Sequence, residues 1–259
     1  MNLIVRSLTS LFYVGLLMGS LFIGGDLFSL IICIMTTLAL KEIQRISGQK
    51  TPLAYLFFPV ILWATTDGKA AETVTLMLGI IGVLFSLIYL SRKTAFFIGK
   101  SFITTLCLIG VAIPMVLLTV LGTKKPELVA FVFGIIWIND SAAFLVGSRL
   151  GKHPLAPAIS PNKTIEGSLG GLVFTILIMT YFSAYFNIFT TNTTLPIILV
   201  TAIMASLGDL VQSKLKRQCE VKDSGTILPG HGGMYDRIDS TLLAVPVFTL
   251  LLFLFEYVS

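Results

Sequence analysis

Three aspartates define the chemistry open to this chain. Asp209 sits in Ser206-Leu207-Gly208-Asp209 at the end of an apolar run, and Asp236 and Asp239 flank Arg237 just before another. A spacing of three puts Asp236 and Asp239 on one side of a first helical turn, where the helix dipole favours negative charge and metal ligation. One carboxylate would suffice to cap a helix. Two on one face, with a third from the preceding helix, form an oxygen set suited to Mg²⁺, which takes one or two carboxylates, water and substrate phosphates. Asp209 taken alone reads equally well as a helix-end acid neutralising Lys214 or Lys216. Ser213 and Lys216, four and seven residues on, would stack beside it on a continuing helix.

Between these acids runs Lys222-Asp223-Ser224-Gly225, then Leu228-Pro229-Gly230-His231-Gly232-Gly233-Met234-Tyr235. Gly230, Gly232 and Gly233 around His231 would let backbone N–H groups approach an anion closely. The phosphate-loop pattern G-x-x-x-x-G-K-[ST] and the dinucleotide pattern G-x-G-x-x-G are both absent. His231 among these glycines suits a phosphate contact, and Cys219 with His231 lacks the further ligands that zinc requires. A second cluster holds Asp140 inside an apolar segment, followed by Arg149 and by Ser160-Pro161-Asn162-Lys163-Thr164-Ile165-Glu166-Gly167. A mid-span acid calls for a cation or a wet cavity, and Lys163 could supply an anion contact nearby. Asp140 would also fit an ion pathway, and Thr164-Ile165-Glu166 also reads as the start of a helix.

The elements that must carry these residues are membrane helices. Of 259 residues, 55% are hydrophobic and only 12% charged, and the mean hydropathy is +0.93. That is too little charge to coat a soluble surface. Disorder, collagen and disulfide frameworks are excluded, and Cys33, Cys107 and Cys219 show no paired spacing. Nine apolar runs alternate with polar breaks, at about 8–23, 27–40, 52–64, 73–90, 101–121, 128–147, 168–188, 195–212 and 240–258. The expected fold is therefore all-α, a polytopic integral membrane protein of about nine transmembrane helices. The first run, behind Arg6, could be mistaken for a secretory signal, but a second follows at once across Gly24-Gly25-Asp26 as a hairpin.

With the N-terminus inside, 15 of the 18 basic residues fall in loops of one side, leaving only Lys69, Lys124 and Lys125 on the other. Basic residues stay on the cytoplasmic side, so the acidic and glycine-rich segments are expected there. The net charge of +5 is divided among separate loops and makes no stripe for nucleic acid. No internal repeat of the transporter kind is evident.

The run Ser213-Lys214-Leu215-Lys216-Arg217, four residues, Lys222-Asp223-Ser224-Gly225, then Leu228 through Asp239 resembles the signature of the phosphatidate cytidylyltransferase family. About twenty-seven positions rich in charge and glycine are far more specific than a short motif. The Asn139-Asp140-Ser141-Ala142-Ala143-Phe144 and Ser160 to Gly167 stretches are also similar, so the resemblance covers roughly residues 130–245. Ser141 and Asn162 stand where family members often carry Thr and a second Lys.

The resemblance implies the reaction of CTP with phosphatidate to give CDP-diacylglycerol and pyrophosphate, with Mg²⁺ and a second cation such as K⁺. It divides the chain into N-terminal transmembrane helices, 1–125, and a catalytic region, 126–259, carrying the CTP and metal site. By resemblance, Asp209 and Asp236 ligate metal with Asp239 beside them, and Lys216, Arg217, Lys222 and Arg237 neutralise phosphates. Gly230, His231, Gly232 and Gly233 would pack against a phosphate, with Ser213, Asp140, Lys163 and Thr164 also on the substrate side. Asp223 either orients Lys222 or reaches metal through water. A homodimer in a bacterial inner membrane, with its site facing the cytoplasm and a cavity open to lipid, is expected. The rival readings are a CTP-dependent lipid kinase and, in another class, an ion-coupled transporter.

Overall fold

The computed structural model describes residues 3–56, 60, 68–92, 99–227 and 232–256. Eight long helices account for most of them: α1 (Leu3–Ile23), α2 (Gly25–Ser47), α3 (Lys69–Ser91), α4 (Lys100–Lys124), α5 (Pro126–Leu150), α6 (Ile165–Phe186), α7 (Thr191–Gln218) and α8 (Tyr235–Glu256). Six of them, α3 to α8, are long and apolar enough to cross a membrane. In α1 the described apolar stretch, Leu11–Ile23, is shorter. Of the expected span at 52–64 the structure describes a 3-10 turn, Pro52–Leu56, and Val60. The rest lies outside the described residues.

Local sequence explains the breaks between helices. Gly48 closes α2 in the left-handed conformation at φ 68°, and Pro126 opens α5 at a position where its missing N–H costs nothing. The α2 helix is longer than its apolar run because Lys41 to Ser47 continue it, with Glu42 and Ile43 buried and Lys41 and Arg45 exposed. Within α4, residues Leu106–Ala112 are wound as a π-helix, which no periodicity in the sequence reports.

Among the described residues, one hairpin departs from an all-helical fold. Pro154–Ala156 (β1) pairs antiparallel with Ser160–Thr164 (β2), Pro154 opposite Thr164 and Ala156 opposite Ser160, with an irregularity between. Each strand is too short, and too rich in proline, to show alternation. Glu166 fastens this hairpin to the start of α6 by accepting from the N–H groups of Lys152 at 3.0 Å and His153 at 3.2 Å.

α4 is the most buried of the six spanning candidates. Around it, α5 packs along α6 and α7 along α8. The second pair is especially close, because a Cβ at Gly208 would stand 2.6 Å from the carbonyl oxygen of Asp239. The ends of α2, α3, α5 and α7 meet the beginnings of α6 and α8 at one end of the bundle. At the other end Lys124 pairs with Glu72, Gly25 abuts Thr123, and Ser183 shares a hydrogen bond with Thr194.

Lys214 shows how the polar end is held. The residue is 8% exposed, and its ammonium donates to the carbonyls of Tyr89 at 2.6 Å, Leu90 at 3.2 Å and Arg92 at 2.6 Å. It thereby satisfies the open C-terminus of α3 and complements its dipole. Lys214→Met should remove charged hydrogen bonds worth about 2–3 kcal/mol. The melting temperature in detergent should fall by roughly 5–10 °C; an unchanged value would show that the contact adds nothing.

Candidate active site

A cavity of about 880 Å³ opens at the polar end. Its walls come from five segments: Tyr13 and Val14 of α1, Ile136 to Ser148 of α5, Asn162 to Ser168 of β2 and α6, Ser206 and Asp209 of α7, and Asp236 to Thr241 of α8. Four aspartates, Asp140, Asp209, Asp236 and Asp239, line it together with Lys163, Thr164 and Arg237. All seven were singled out in the sequence, although they come from segments up to a hundred residues apart.

Two lysines sit on two of these carboxylates. Lys163 Nζ lies 2.6 Å from Asp209 Oδ2, and Lys216 Nζ lies 2.6 Å from Asp236 Oδ1. Asp209 does not neutralise Lys214, which belongs to the end of α3. Ser213 Oγ donates to Asp209 Oδ1 at 3.1 Å, as the four-residue spacing requires. Asp236 is more heavily engaged. Its Oδ1 also accepts from Gln212 Nε2 at 3.0 Å, and its Oδ2 accepts from Ser224 N at 2.9 Å, Ser224 Oγ at 2.9 Å and Gly233 N at 2.8 Å. Five donors on one carboxylate make it the knot that ties α7 and the preceding loop to α8. Deeper in, Ser240 donates through its N–H to Asp239 Oδ1 at 2.7 Å and reaches toward Asp140 Oδ2 through its hydroxyl, at 3.5 Å.

The glycines work differently from the sequence expectation. Gly232 has φ 79°, and a Cβ there would stand 2.6 Å from Asp236 Oδ2. A Cβ at Gly233 would stand 2.3 Å from Glu42 Oε2. Their close approach is thus to the protein's own carboxylates, and the Gly233 N–H is taken by Asp236. Gly230 and His231 lie outside the described residues. Arg217 is exposed, donating to Ile159 O at 3.4 Å on the hairpin and to Val221 O at 3.3 Å. Lys222 and Asp223 are exposed beyond the cavity walls. Thr164 has the helix-start role as well as a place on the wall: its hydroxyl accepts from Gly167 N at 3.1 Å and caps α6.

Sequence reasoning missed Glu42, Arg45, Gln212, Ser224 and Tyr13. Glu42, on α2, accepts from Ser224 Oγ at 2.8 Å, Met234 N at 2.9 Å and Tyr235 N at 2.8 Å. Arg45 donates to Ser224 O at 2.7 Å, and Tyr13 OH donates to Arg237 O at 3.4 Å. The partners of Glu42, Arg45 and Tyr13 are more than 170 residues away, and an acid beside Lys41 reads as an ordinary solvated helix end. The one available signal was that Glu42 is the only acid among the basic residues closing the second run.

The donor set suits a hard divalent cation. Asp209 and Asp236 each hold an ammonium now, so both positions accept positive charge, although an ion on Asp236 requires Lys216 to yield Oδ1. Among the described residues no three acidic, histidine or cysteine side chains are grouped closely enough to enclose a metal. Water and phosphate oxygens would complete the shell, which is the habit of Mg²⁺.

Fold and site together define a helical membrane protein with a charged cavity at one end of its bundle. The cytidylyltransferase family matches residues 4–255, and the chain belongs to that family. It is similar to the phosphatidate cytidylyltransferase of Staphylococcus haemolyticus, 34% identical over 261 residues, covering 96% of this chain and 98% of that protein. Similarity to the phosphatidate cytidylyltransferase of Staphylococcus aureus (strain COL) is 34% over 260 residues, with the same coverage. To that of Staphylococcus epidermidis it is 33% over 263 residues, again covering 96% and 98%.

Proposed function

We propose that the protein transfers the cytidylyl group of CTP to phosphatidate, giving CDP-diacylglycerol and pyrophosphate. The observation that carries this reading is that Asp209, paired with Lys163, and Asp236, paired with Lys216, line one cavity in a chain of this family. A phosphatidate oxygen attacks the α-phosphorus of CTP, a new P–O bond forms, and the bond to the bridging oxygen breaks, its electron pair leaving with pyrophosphate. Two anionic substrates must come together, so repulsion is the obstacle and neutralisation with positioning is most of the catalysis. Lys163 and Arg237 face the space where phosphates would sit, and Lys216 reaches it beside Asp236. Asp209 and Asp236, with Asp239 adjoining, would hold Mg²⁺, which supplies charge neutralisation on the triphosphate; a second cation such as K⁺ is part of the same reading.

The alternation of helix ends supports nine crossings, because α2 finishes at the polar end while α3 begins at the other. The basic residues gathered at the polar end support a cytoplasmic site in a bacterial inner membrane. Diacyl chains then remain in lipid while CTP stays in water. The weakly covered outer face of α6, with Leu169, Val173, Phe174 and Leu177 exposed, supports contact with lipid or a second copy in a homodimer.

The test is to incubate purified protein with phosphatidate vesicles, Mg²⁺ and CTP labelled at the α- or γ-phosphorus. Equal amounts of labelled CDP-diacylglycerol and pyrophosphate are expected. Free CDP with γ-label on the lipid would identify a lipid kinase, and ion flux without any need for CTP would identify a transporter.

A further inference from the structure

Glu42 on α2 is 3% exposed and lies outside the cavity walls, yet its carboxylate accepts hydrogen bonds from three donors, Ser224 Oγ, Met234 N and Tyr235 N, of the residues leading into Asp236. Two of its donors, the N–H groups of Met234 and Tyr235, belong to the start of α8, which otherwise has open donors there. The third, Ser224 Oγ, stands 2.8 Å from Glu42 Oε2 and 2.9 Å from Asp236 Oδ2, so its single proton serves one carboxylate or the other. One turn along α2, Arg45 donates to the carbonyl of the same serine at 2.7 Å. The backbone is pressed hard against both side chains: a Cβ at Gly225 would stand 2.4 Å from Glu42 Oε1 and 3.1 Å from Arg45 Nη2.

We propose that Glu42 and Arg45 form a clamp on α2 that fixes the Ser224–Gly225 turn and the start of α8, and so sets the position of Asp236 for catalysis. Both are positioning residues, acting through Ser224. The proposal rests on the cytidylyltransferase reading for its consequence in catalysis, but the clamp itself is testable without any ligand. Burial makes the clamp stringent. An acceptor-only carboxylate satisfies three donors at once, whereas an amide must turn its NH₂ toward at least one of them. A buried donor left without an acceptor costs about 1–3 kcal/mol, enough to displace a local segment without unfolding a bundle of this size.

The experiment compares wild type, Glu42→Gln and Glu42→Asp by amide hydrogen exchange of the ligand-free protein, alongside kcat and the KM for CTP. A control variant, Glu72→Gln, removes a carboxylate at the far end of the bundle. In Glu42→Gln the amides of Ser224, Gly233, Met234 and Tyr235 should exchange at least about tenfold faster, equivalent to about 1.4 kcal/mol of lost local protection. Exchange in α5 and α6 should be unchanged, and kcat should fall by about tenfold or more. Glu42→Asp, still acceptor-only, should recover part of both effects, and Glu72→Gln should alter neither. Should Glu42→Gln fail to fold, Arg45→Ala carries the same comparison through the other arm. Unchanged exchange in these amides, or faster exchange with wild-type kcat, overturns the clamp. If wild type makes no CDP-diacylglycerol, the functional reading falls, and the exchange data still decide whether the clamp exists.

Discussion

Asp236→Asn should lower turnover by roughly a thousandfold in a protein that still inserts and folds. The reason is the number of donors that converge on this one side chain. An asparagine presenting its NH₂ in place of Oδ1 would face Lys216 Nζ and Gln212 Nε2. Presented in place of Oδ2, it would face Ser224 N, Ser224 Oγ and Gly233 N. Neither orientation satisfies the site, and each unmet buried donor costs about 1–3 kcal/mol. Two of them amount to about 4 kcal/mol, or about three powers of ten if the loss falls on the transition state. Some of the loss should appear as reduced stability as well, because the same bonds tie α7 and the loop to α8. Product formation and a melting curve on the same sample separate the two, and wild-type turnover would remove Asp236 from the site.

Asp209→Asn should be about as damaging to turnover, by a factor of roughly 10²–10³, yet nearly silent in stability. Asp209 is about a quarter exposed, and among the described residues its partners are Ser213 Oγ and Lys163 Nζ. Ser213 can still donate to an asparagine oxygen. An ion pair this open to water contributes about 0–1 kcal/mol to folding, so losing it should shift the melting temperature little. What disappears is a negative charge facing the cavity, which under the proposed function would help hold a cation against a triphosphate. The contrast is itself diagnostic: Asp236 should affect both readouts, Asp209 only activity. Equal destabilisation by both would mean that Asp209 is a structural acid.

The acids of the cavity could be read from the sequence because charge is costly in an apolar run. Asp140, Asp209, Asp236 and Asp239 stand out against their neighbours, and all four line the same cavity. Lys163 was singled out as an anion contact in the polar loop after the sixth run, and Arg237 by the family resemblance of its motif. The clamp residues were invisible for the opposite reason. Glu42 and Arg45 lie where a helix leaves the membrane, where charges are unremarkable, and only the fold brings Ser224 to them. The hairpin of β1 and β2 was missed because three and five residues cannot display a period. The start of α5 at Pro126 falls within two residues of its apolar run, whereas the end of α2 lies well beyond its run, because a charged tail prolongs the helix to Ser47 before Gly48 closes it. The glycines around residue 232 were recognised as positions of close approach, but the approaching groups proved to be Asp236 and Glu42.

The central claim is that carboxylates from α7 and α8 share one cation beside a bound nucleotide. Mn²⁺ binding to the purified protein in the presence of a non-hydrolysable CTP analogue, followed by electron paramagnetic resonance, tests it most directly. Wild type should bind the ion, and Asp209→Asn and Asp236→Asn should each weaken binding by at least about tenfold, a loss of about 1.4 kcal/mol. Wild-type affinity in either variant would contradict a shared site.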